Sequence, residues 1–560
     1  MVNEPQRPVP PQRFFGFPLI ATILFVAATA VWLFHGRWTI GRKDEWSITV
    51  YPAPWPLAAW WLPLGVCGLF LALAIYFGYD RFYRAKTRRA QNVSTGLTLF
   101  CLAGLTLIGP WSLLEPGGTF NLINVAWSEV SNEYFATAYQ IQDVREFTRD
   151  YATERQRLTA RTKAHVATHP PGATLFYYAA RHIFENSPAL QSVFTAITER
   201  LTGRPVATVA TAVIGVLEYG DARPPVPLPN SAVPCALWCV FLLACAMAAT
   251  VPAVYCLAAL GCDSAEAESL NEANNCQAAH EMRGLVAAAL FALTPSIQFF
   301  AFTLDALIAC LVAWTLVFLS RRLAGGGAGW LLAAGITLGL TCFVSFGTLA
   351  VLALVLFCIL LNALAALSFG SVAMRAVAKD FAFVLAGFFL VWGLLMLCLP
   401  MQPVAIFHNA MAAHYFATLE YRNRWAWLWL NLLTFALFAG WAFTVAIIFY
   451  LFQMLQEWRA QGNRFLYAIR GWTPGQMIGC ATVLTMLLLT LSGSVRGEVE
   501  RLWLFLLPSL CVLAAFAFVL PVPGRGASTR EIRGWAVFLL LQALQTLLMA
   551  VALQPLSRPF

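Results

Sequence analysis

Stretches of about twenty apolar residues recur along the chain, and each is long enough to cross the hydrocarbon core of a bilayer as a helix. Backbone polar groups find no water in lipid, so such stretches must form their hydrogen bonds internally, as helices. Strands of a membrane barrel would instead alternate apolar and polar residues over about ten positions. Only 11% of the 560 residues are charged, against roughly 25% in soluble domains. We therefore predict an all-α polytopic membrane protein.

The apolar stretches predict about 13 transmembrane helices. Their approximate positions are 15–34, 57–79, 95–113, 232–260, 284–300, 302–320, 330–346, 348–367, 381–399, 427–453, 476–492, 502–521 and 534–554. The short loop 81–89 holds the densest basic cluster. Short loops rich in Lys and Arg stay in the cytoplasm, so we expect the N-terminus inside and the C-terminus outside.

Composition excludes several classes of function. The net charge is +9, which in a membrane protein mostly reports orientation. No basic stripe is interleaved with aromatic residues, so we expect no nucleic-acid partner. The 14 cysteines are scattered and mostly lie inside apolar runs, without a CxxC pair or zinc-ligand spacing. We predict no metal site and no certain cofactor, and leave a divalent cation open.

A long loop, residues 114–230, is predicted to lie outside the membrane. Its stretches 174–184 and 190–201 are too polar to span and are expected to lie along the interface as helices. Its segment 128–172 is dense in charge and ends in the turn His169-Pro170-Pro171-Gly172, here called the HPPG turn. Each proline fixes its own φ and restricts the preceding residue, so this turn is rigid. Six of the seven histidines fall outside in this topology, which favours one active site on that face.

Other polar residues stand at predicted span ends. Asp305 is set slightly into the membrane, where an acid is costly and is functional by default. The segment 496–503, RGEVERLW, here called the late motif, carries Arg496 and Arg501. Arginine binds phosphate through a planar fork of donors, but arginine at a helix end also snorkels for topology alone. Residues 421–425 are either interfacial anchors or part of a substrate site.

Taken together, these motifs resemble the GT-C superfamily of membrane glycosyltransferases. The segment 132–136, NEYFA, here called the first-loop motif, looks like the signature that supplies the catalytic carboxylate in the first external loop of such enzymes. The HPPG turn is similar to the His-Pro-Pro of protein O-mannosyltransferases and related bacterial enzymes of the lipid A aminoarabinose transferase type. The late motif looks like the Arg-plus-aromatic motif that reaches the lipid phosphate, and Asp305 is a weaker fourth feature.

The resemblance implies a polyprenyl-phosphate sugar donor and an extracytoplasmic acceptor that is a lipid, a glycan or a protein. It further implies transfer with inversion, without a covalent enzyme intermediate, in a multi-pass protein of the bacterial inner membrane. It covers residues 95–510, so residues 1–94 form an N-terminal tail with two extra helices and 511–560 a C-terminal membrane region. The sequence departs from the family at Asn132, where many members have Asp.

Site residues follow from the motifs and from the chemistry. Transfer to a hydroxyl needs a base near the acceptor oxygen, and cationic groups for the departing phosphate. The candidate catalytic residues are Glu133, Asp143 and His169. The candidate residues for substrate and lipid phosphate are Asp305, Tyr421, Arg422, Arg496, Glu498 and Arg501.

Two other classes of function stay open. A transporter or flippase of lipid-linked sugars would carry acids and arginines at mid-membrane in several helices. A glycan polymerase or ligase would also have a large outer loop. The order of the first-loop motif and the HPPG turn argues against the second of these, by resemblance alone.

Overall fold

The computed structural model describes most of the chain. The described residues are 16–35, 39–42, 45–49, 61–85, 87–114, 118–128, 132–155, 165–219, 227–260, 270–365, 371–460, 469, 471–517 and 529–553. They are helical throughout, apart from turns and one antiparallel hairpin of the strands Thr39–Arg42 and Trp46–Thr49. The prediction of an all-α polytopic membrane protein is confirmed at this level.

The N-terminal half contains three long helices and then a run of shorter ones. The long helices are Gly16–His35, Trp61–Tyr83 and Arg88–Ser112. The shorter ones are Gly118–Trp127, Tyr134–Gln140, Val144–Asp150, a wide turn Tyr151–Arg155, a tight turn His165–Thr168, Gly172–Glu185, Pro188–Thr202 and Val206–Tyr219. This short-helix region coincides with the predicted outer loop.

Long helices predominate in the rest of the chain. They are Ala232–Ala259, Leu270–Ala292, Pro295–Phe300, Leu304–Leu323, Gly329–Val344, Ala350–Ala365, Ser371–Cys398, Pro403–His414, Arg424–Ala439, Trp441–Ala460, Pro474–Ser492, Val499–Leu502, Leu507–Ala515 and Thr529–Leu553. Tight or wide turns at Phe346–Leu349, Tyr415–Leu419 and Leu504–Leu506 join some of them.

Eight helices of the described residues are long and apolar enough to cross a membrane, and ten do so if each of two bent pairs is one span. The eight are Gly16–Phe34, Leu64–Arg81, Arg88–Ser112, Ala232–Ala259, Leu304–Leu323, Phe346–Ala365, Met374–Cys398 and Pro474–Ser492. Each coincides with a predicted span. The bent pairs are Pro188–Thr202 with Val206–Tyr219, at 65°, and Arg424–Ala439 with Trp441–Ala460, at 115°.

Two predicted spans are interrupted in the structure. The predicted span 427–453 turns sharply at Gly440, whose φ is +99°. The predicted span 284–300 breaks after Ala292 and restarts at Pro295, while its first helix begins at Leu270, inside the predicted acidic loop 262–282. Both interruptions expose backbone groups that need partners, because lipid supplies none.

The last helix supplies those partners. Gln542 donates to the carbonyl of Ala439 at 2.7 Å, and Gln545 donates to that of Leu437 at 2.8 Å. The side-chain Oε1 of Gln545 accepts from the backbone N–H of Trp441 at 2.8 Å. Thr546 donates to the carbonyl of Leu293 at 2.6 Å, at the other break. The side chains Gln542, Gln545 and Thr546 are buried, so the last helix stabilises both broken helices.

Packing also brings the first and last described helices together. The first helix packs against the last, and Phe25 stacks on Trp441 with ring centroids 4.7 Å apart. The indole N–H of Trp441 donates to the hydroxyl of Thr29 at 2.7 Å. The predicted N-terminal and C-terminal regions therefore share one interface with the helix that follows Gly440.

Glycine in the HPPG turn brings the predicted outer loop against helix Gly329–Val344. A side chain at Gly172 would collide with the backbone carbonyl of Phe343. The backbone of the turn therefore lies directly against the end of helix Gly329–Val344. This close approach needs glycine and anchors the outer loop beside the candidate site.

Candidate active site

Glu133 stands at the start of helix Tyr134–Gln140, in a backbone conformation that residues with side chains rarely adopt. Its φ is +33°, and holding a residue in such a sparsely populated region costs of order 1–3 kcal/mol. The residue is 6% exposed. Its Oε2 accepts a hydrogen bond of 2.8 Å from the backbone N–H of Val166. A buried carboxylate is thus held against the tight turn that precedes the HPPG turn.

Aromatic side chains connect Glu133 to the HPPG turn. Tyr134 is buried and meets the ring of His169 edge-on, with centroids 5.6 Å apart. The hydroxyl of Tyr151 lies 2.9 Å from the carbonyl oxygens of both Val166 and His169. The first-loop motif and the HPPG turn therefore form one packed unit, as the sequence hypothesis requires.

The late motif places Arg501 between two carboxylates. Its Nη2 lies 3.2 Å from Oε2 of Glu498, and its Nε lies 3.6 Å from Oδ2 of Asp305. Asp305 also accepts a hydrogen bond of 3.1 Å from the hydroxyl of Thr303. Burial lowers the pKa of Arg501, but the carboxylates of Asp305, Glu498 and Glu500 raise it, and the net shift is upward. The guanidinium therefore stays charged.

Charges from both the first-loop motif and the late motif act on Tyr134. Burial raises the pKa of its phenol well above the ordinary value; Tyr151 also raises it, Arg501 lowers it, and Glu133 and Asp305 raise it further. The interaction of a phenol with such charges weakens with distance and is stronger inside a protein than in water. Glu133 and Arg501, which are far apart in the sequence, therefore act on the same buried side chain.

Glu498 bridges two arginines. Its Oε1 lies 2.9 Å from Nη2 of Arg422, and its other oxygen contacts Arg501. Its φ is +60°, and among the described residues only Glu133 and Glu498 combine a positive φ with a side chain. Backbone strain of this kind concentrates at functional sites. Both strained positions carry carboxylates that the sequence hypothesis placed in the site.

Arg422 is the most enclosed guanidinium of this network, with 7% of the residue exposed. It donates to the carbonyl of Arg496 and lies 3.4 Å from the hydroxyl of Tyr421, over whose ring it stacks. Its Nε is buried and has no hydrogen-bond partner among the described residues. Arg422 therefore keeps donor capacity that the described part of the chain does not use.

Arg496 has a different task from Arg501. Its guanidinium donates to the carbonyls of Gly493 at 3.1 Å, Leu419 at 2.7 Å and Arg422 at 2.6 Å. These bonds tie the late motif to the segment 419–422. Its donors are directed at the backbone, so Arg496 holds the site together, whereas Arg501 faces the acids.

Glu500 is a buried acid that the sequence hypothesis mentioned but did not select. The residue is 4% exposed, and its Oε2 has no hydrogen-bond partner among the described residues. Burial, together with Glu498, raises the pKa of its carboxyl to about 8, although Arg501 and Arg422 oppose the shift. Glu500 is therefore mostly protonated at neutral pH. The network then holds two arginines, Arg422 and Arg501, against two carboxylates, Asp305 and Glu498.

The remaining predicted residues lie at the edge of this network or outside it. Asp143 is exposed and caps helix Val144–Asp150 by accepting from the N–H groups of Arg145 at 2.6 Å and Glu146 at 3.2 Å. Tyr421 is 40% exposed beside Arg422. Within the described part of the chain, no group of three or more His, Cys, Asp or Glu side chains could hold a metal ion.

Several supporting residues escaped the sequence analysis. Asn431 accepts from the N–H of Gly497 at 2.9 Å and donates to the carbonyl of Val495 at 2.8 Å, clamping the late motif from a neighbouring helix. Tyr151 fixes the HPPG turn as described above. An Asn inside an apolar helix was the available signal for Asn431, because buried polar groups need partners. No local sequence pattern indicated the role of Tyr151.

Fold and site thus define a polytopic α-helical membrane protein with a partly buried acid–arginine network formed by the late motif, Asp305 and Arg422. Comparison with protein-family models found no match to this chain. Comparison with curated proteins also found no match.

Proposed function

We propose that the chain is a membrane glycosyltransferase of GT-C type, which transfers a sugar from a polyprenyl-phosphate donor to an extracytoplasmic acceptor. The observation that carries the proposal is the environment of Tyr134. Tyr134 is buried, and the charges of Glu133 in the first-loop motif and of the ion pair Arg501–Asp305 all shift the pKa of its phenol. Sugar transfer needs a base and a cationic phosphate-binding group close together. The residues that would supply these groups both act electrostatically on this one buried side chain.

Glu133 is the proposed general base. Its carboxylate is shielded from bulk water and held by the N–H of Val166, which pre-positions it for proton transfer from an acceptor hydroxyl. His169, edge-on to Tyr134, supports the wall of the site. Displacement then proceeds with inversion at the sugar carbon, and the departing phosphate leaves without attachment to the enzyme.

Arg501 and Arg422 are the proposed phosphate-binding pair. Both already hold Glu498, so a donor phosphate must compete with that carboxylate for the same guanidinium groups. A phosphate accepts a planar, bidentate contact from arginine as a carboxylate does. Glu498 therefore occupies the position of the anion in the donor-free state and yields it when donor binds.

The proposed topology completes this assignment. We propose about 13 spans, with the basic cluster 81–89 in the cytoplasm and the site on the outer face of a bacterial inner membrane. Donor lipid would then reach Arg501 from the outer leaflet.

A transfer assay tests the proposal. The purified full chain in nanodiscs is incubated with a panel of polyprenyl-phosphate sugars and membrane-extract acceptors, and release of polyprenyl phosphate is followed by mass spectrometry. We expect release that depends on acceptor and is lost in Glu133→Gln. No release with any donor, from protein that still binds polyprenyl phosphate, would reject the glycosyltransferase assignment.

One observation favours a transporter of lipid-linked sugars as the second candidate. Two helices break near each other, after Ala292 and at Gly440, and both breaks are held by the last helix. Broken membrane helices commonly form transport sites. Flux of a fluorescent polyprenyl-phosphate sugar between leaflets of proteoliposomes distinguishes the two. Flux without transfer would favour the transporter.

A further inference from the structure

The N-terminal hairpin reaches the candidate site. Its strands pair Thr39 with Thr49 and Arg42 with Trp46, so Glu45 stands at the tip. Its first strand contacts helix Arg424–Ala439. Residues 1–94 were expected to lie outside the catalytic module, yet this hairpin contacts the helix that begins just after Arg422.

Glu45 accepts two hydrogen bonds from that helix with one oxygen. Its Oε2 lies 3.0 Å from the backbone N of Asn423 and 2.7 Å from the indole Nε1 of Trp427. Its other oxygen lies 2.9 Å from Nη1 of Arg42. The Glu45 side chain is 10% exposed and Trp427 is 1% exposed. Charge-assisted bonds shielded from water in this way are stronger than neutral ones.

These contacts complete the N-terminal cap of the helix. The side chain of Asn423 accepts from the N–H groups of Trp425 and Ala426, but the N–H of Asn423 itself needs an acceptor. In a capping box, a Glu or Gln three residues later in the same helix fills that role. Here Ala426 occupies that position, and Glu45 supplies the acceptor from the hairpin.

Arg422 directly precedes this capped residue. Its carbonyl accepts from Arg496 at 2.6 Å and its guanidinium holds Glu498 at 2.9 Å. The position of the Asn423 backbone therefore limits where the Arg422 guanidinium can reach. A contact that fixes Asn423 fixes one side of the proposed phosphate site.

We propose that Glu45 is a positioning residue that holds Arg422 in place for binding of the donor phosphate. This inference rests on the proposed function, since it assigns a task to Arg422 in that site. The positioning role of Glu45 would make the N-terminal hairpin necessary for full affinity for the donor. The hairpin acts through the Asn423 cap, without touching the substrate.

Variants of Glu45 test the proposal through affinity for undecaprenyl phosphate, measured by native mass spectrometry on the full chain in nanodiscs. Glu45→Ala removes both hydrogen bonds and should weaken binding about tenfold, equal to 1.4 kcal/mol. Glu45→Gln keeps an acceptor oxygen and should restore most of the affinity. Arg42→Ala is the matched control, because it removes only the ion pair on the other oxygen and should leave affinity unchanged.

Steady-state kinetics separate positioning from simple destabilisation. A misplaced Arg422 raises KM for the donor and leaves kcat little changed, whereas partial unfolding lowers the active fraction and leaves KM as it was. If Glu45→Ala does not fold, Trp427→Phe removes one of the two donors and is measured in its place. Unchanged KM and affinity in the folded variant would overturn the proposal.

Arg501→Ala, measured in parallel, distinguishes failure of the positioning role from failure of the proposed function. Loss of binding in Arg501→Ala without any change in Glu45→Ala would reject the positioning role alone. Unchanged binding in both variants would reject the phosphate site, and with it the proposed function.

Discussion

The Nε of Arg501 lies 3.6 Å from the Oδ2 of Asp305, where the late motif meets the first turn of the membrane helix Leu304–Leu323. Both side chains are about one-fifth exposed, at 24% and 18%. Removing one member of a poorly hydrated ion pair leaves the other charge uncompensated. This pair therefore couples the charge of the proposed phosphate site to the packing of the membrane helices.

Replacing Arg501 should weaken phosphate binding directly. Arg501→Ala removes the charged donors that face Asp305 and Glu498, and loss of a charged hydrogen bond costs roughly 1.5–3 kcal/mol, or about 10- to 150-fold in affinity. Isothermal titration with undecaprenyl phosphate in detergent measures this. Arg424→Ala is the matched control, because Arg424 is exposed and donates to the carbonyl of Leu491; it should bind normally. Equal affinity in wild type and Arg501→Ala would exclude Arg501 from the site.

Glu498→Gln should have the opposite effect on affinity. The carboxylate competes with phosphate for Arg422 and Arg501, so its neutralisation leaves the network with an excess positive charge. We expect undecaprenyl phosphate to bind about tenfold more tightly, a gain of 1.4 kcal/mol, with a steeper dependence on salt because added charge is screened. Weaker binding in this variant would show that Glu498 supports the phosphate site and does not compete for it.

Glu500 predicts a pH dependence of stability. Its pKa in the folded protein is about 8, above the ordinary value of about 4.3 for a glutamate. The folded state therefore holds its proton more tightly than the unfolded state does. Stability from this group is full below the unfolded pKa and is lost as pH rises through about 8. Glu500→Gln should remove that loss.

Thermal melting of the purified protein in detergent tests the predicted direction of this change in stability with pH. The Tm of wild type should fall more than that of Glu500→Gln between pH 6 and pH 9. Parallel curves for the two proteins would show that Glu500 does not titrate in this range.

Hydropathy predicts the straight membrane helices because apolar length is a local property of the sequence. All eight helices that pass the length and hydropathy test lie at predicted spans. Hydropathy did not indicate the bend within the predicted span 427–453, because the backbone groups at Gly440 find their partners in Gln542 and Gln545 of another helix. No local pattern reports such a partner.

Motif order selected Glu133, Asp305 and Arg501 as candidates but could not distinguish the roles of neighbouring residues. Arg496 and Arg501 are both arginines at a span boundary, and only the three carbonyls around Arg496 separate them. For Asp143, the sequence did contain a pattern that indicates a helix-capping role. An Asp followed three residues later by Glu146 is typical of a helix N-terminus, and the structure gives Asp143 that capping contact.

Labelling tests the topology that the proposed donor path needs. Single cysteines at Arg89 and Glu146, which are both exposed, are reacted in intact cells with a membrane-impermeant maleimide. The cysteine at 146 should react and that at 89 should react only after permeabilisation, because short basic loops stay inside. Reaction of both under the same condition would contradict the outer placement of the site.

Cys276 gives an independent check of sidedness. It is disulfide-bonded in the structure, whereas the predicted topology puts residues 262–282 inside, where thiols stay reduced. With the proposed orientation, Cys276 should be alkylated in lysed cells without prior reduction. If alkylation of Cys276 requires a reducing agent, residues 262–282 lie outside, opposite to the proposed orientation.

Turnover by Glu133→Gln, compared with its binding of donor, tests the central assignment most directly. The substitution keeps the size and the acceptor for Val166 but removes the proton-accepting carboxylate, and loss of a general base typically costs about 10²–10⁴-fold in rate. Undecaprenyl phosphate should still bind, because Arg501 and Arg422 hold it. Asp143→Asn is the matched control, since Asn caps a helix as well as Asp does, and it should turn over normally. Near-normal turnover in Glu133→Gln together with a loss in Asp143→Asn would contradict the account and move the base to Asp143.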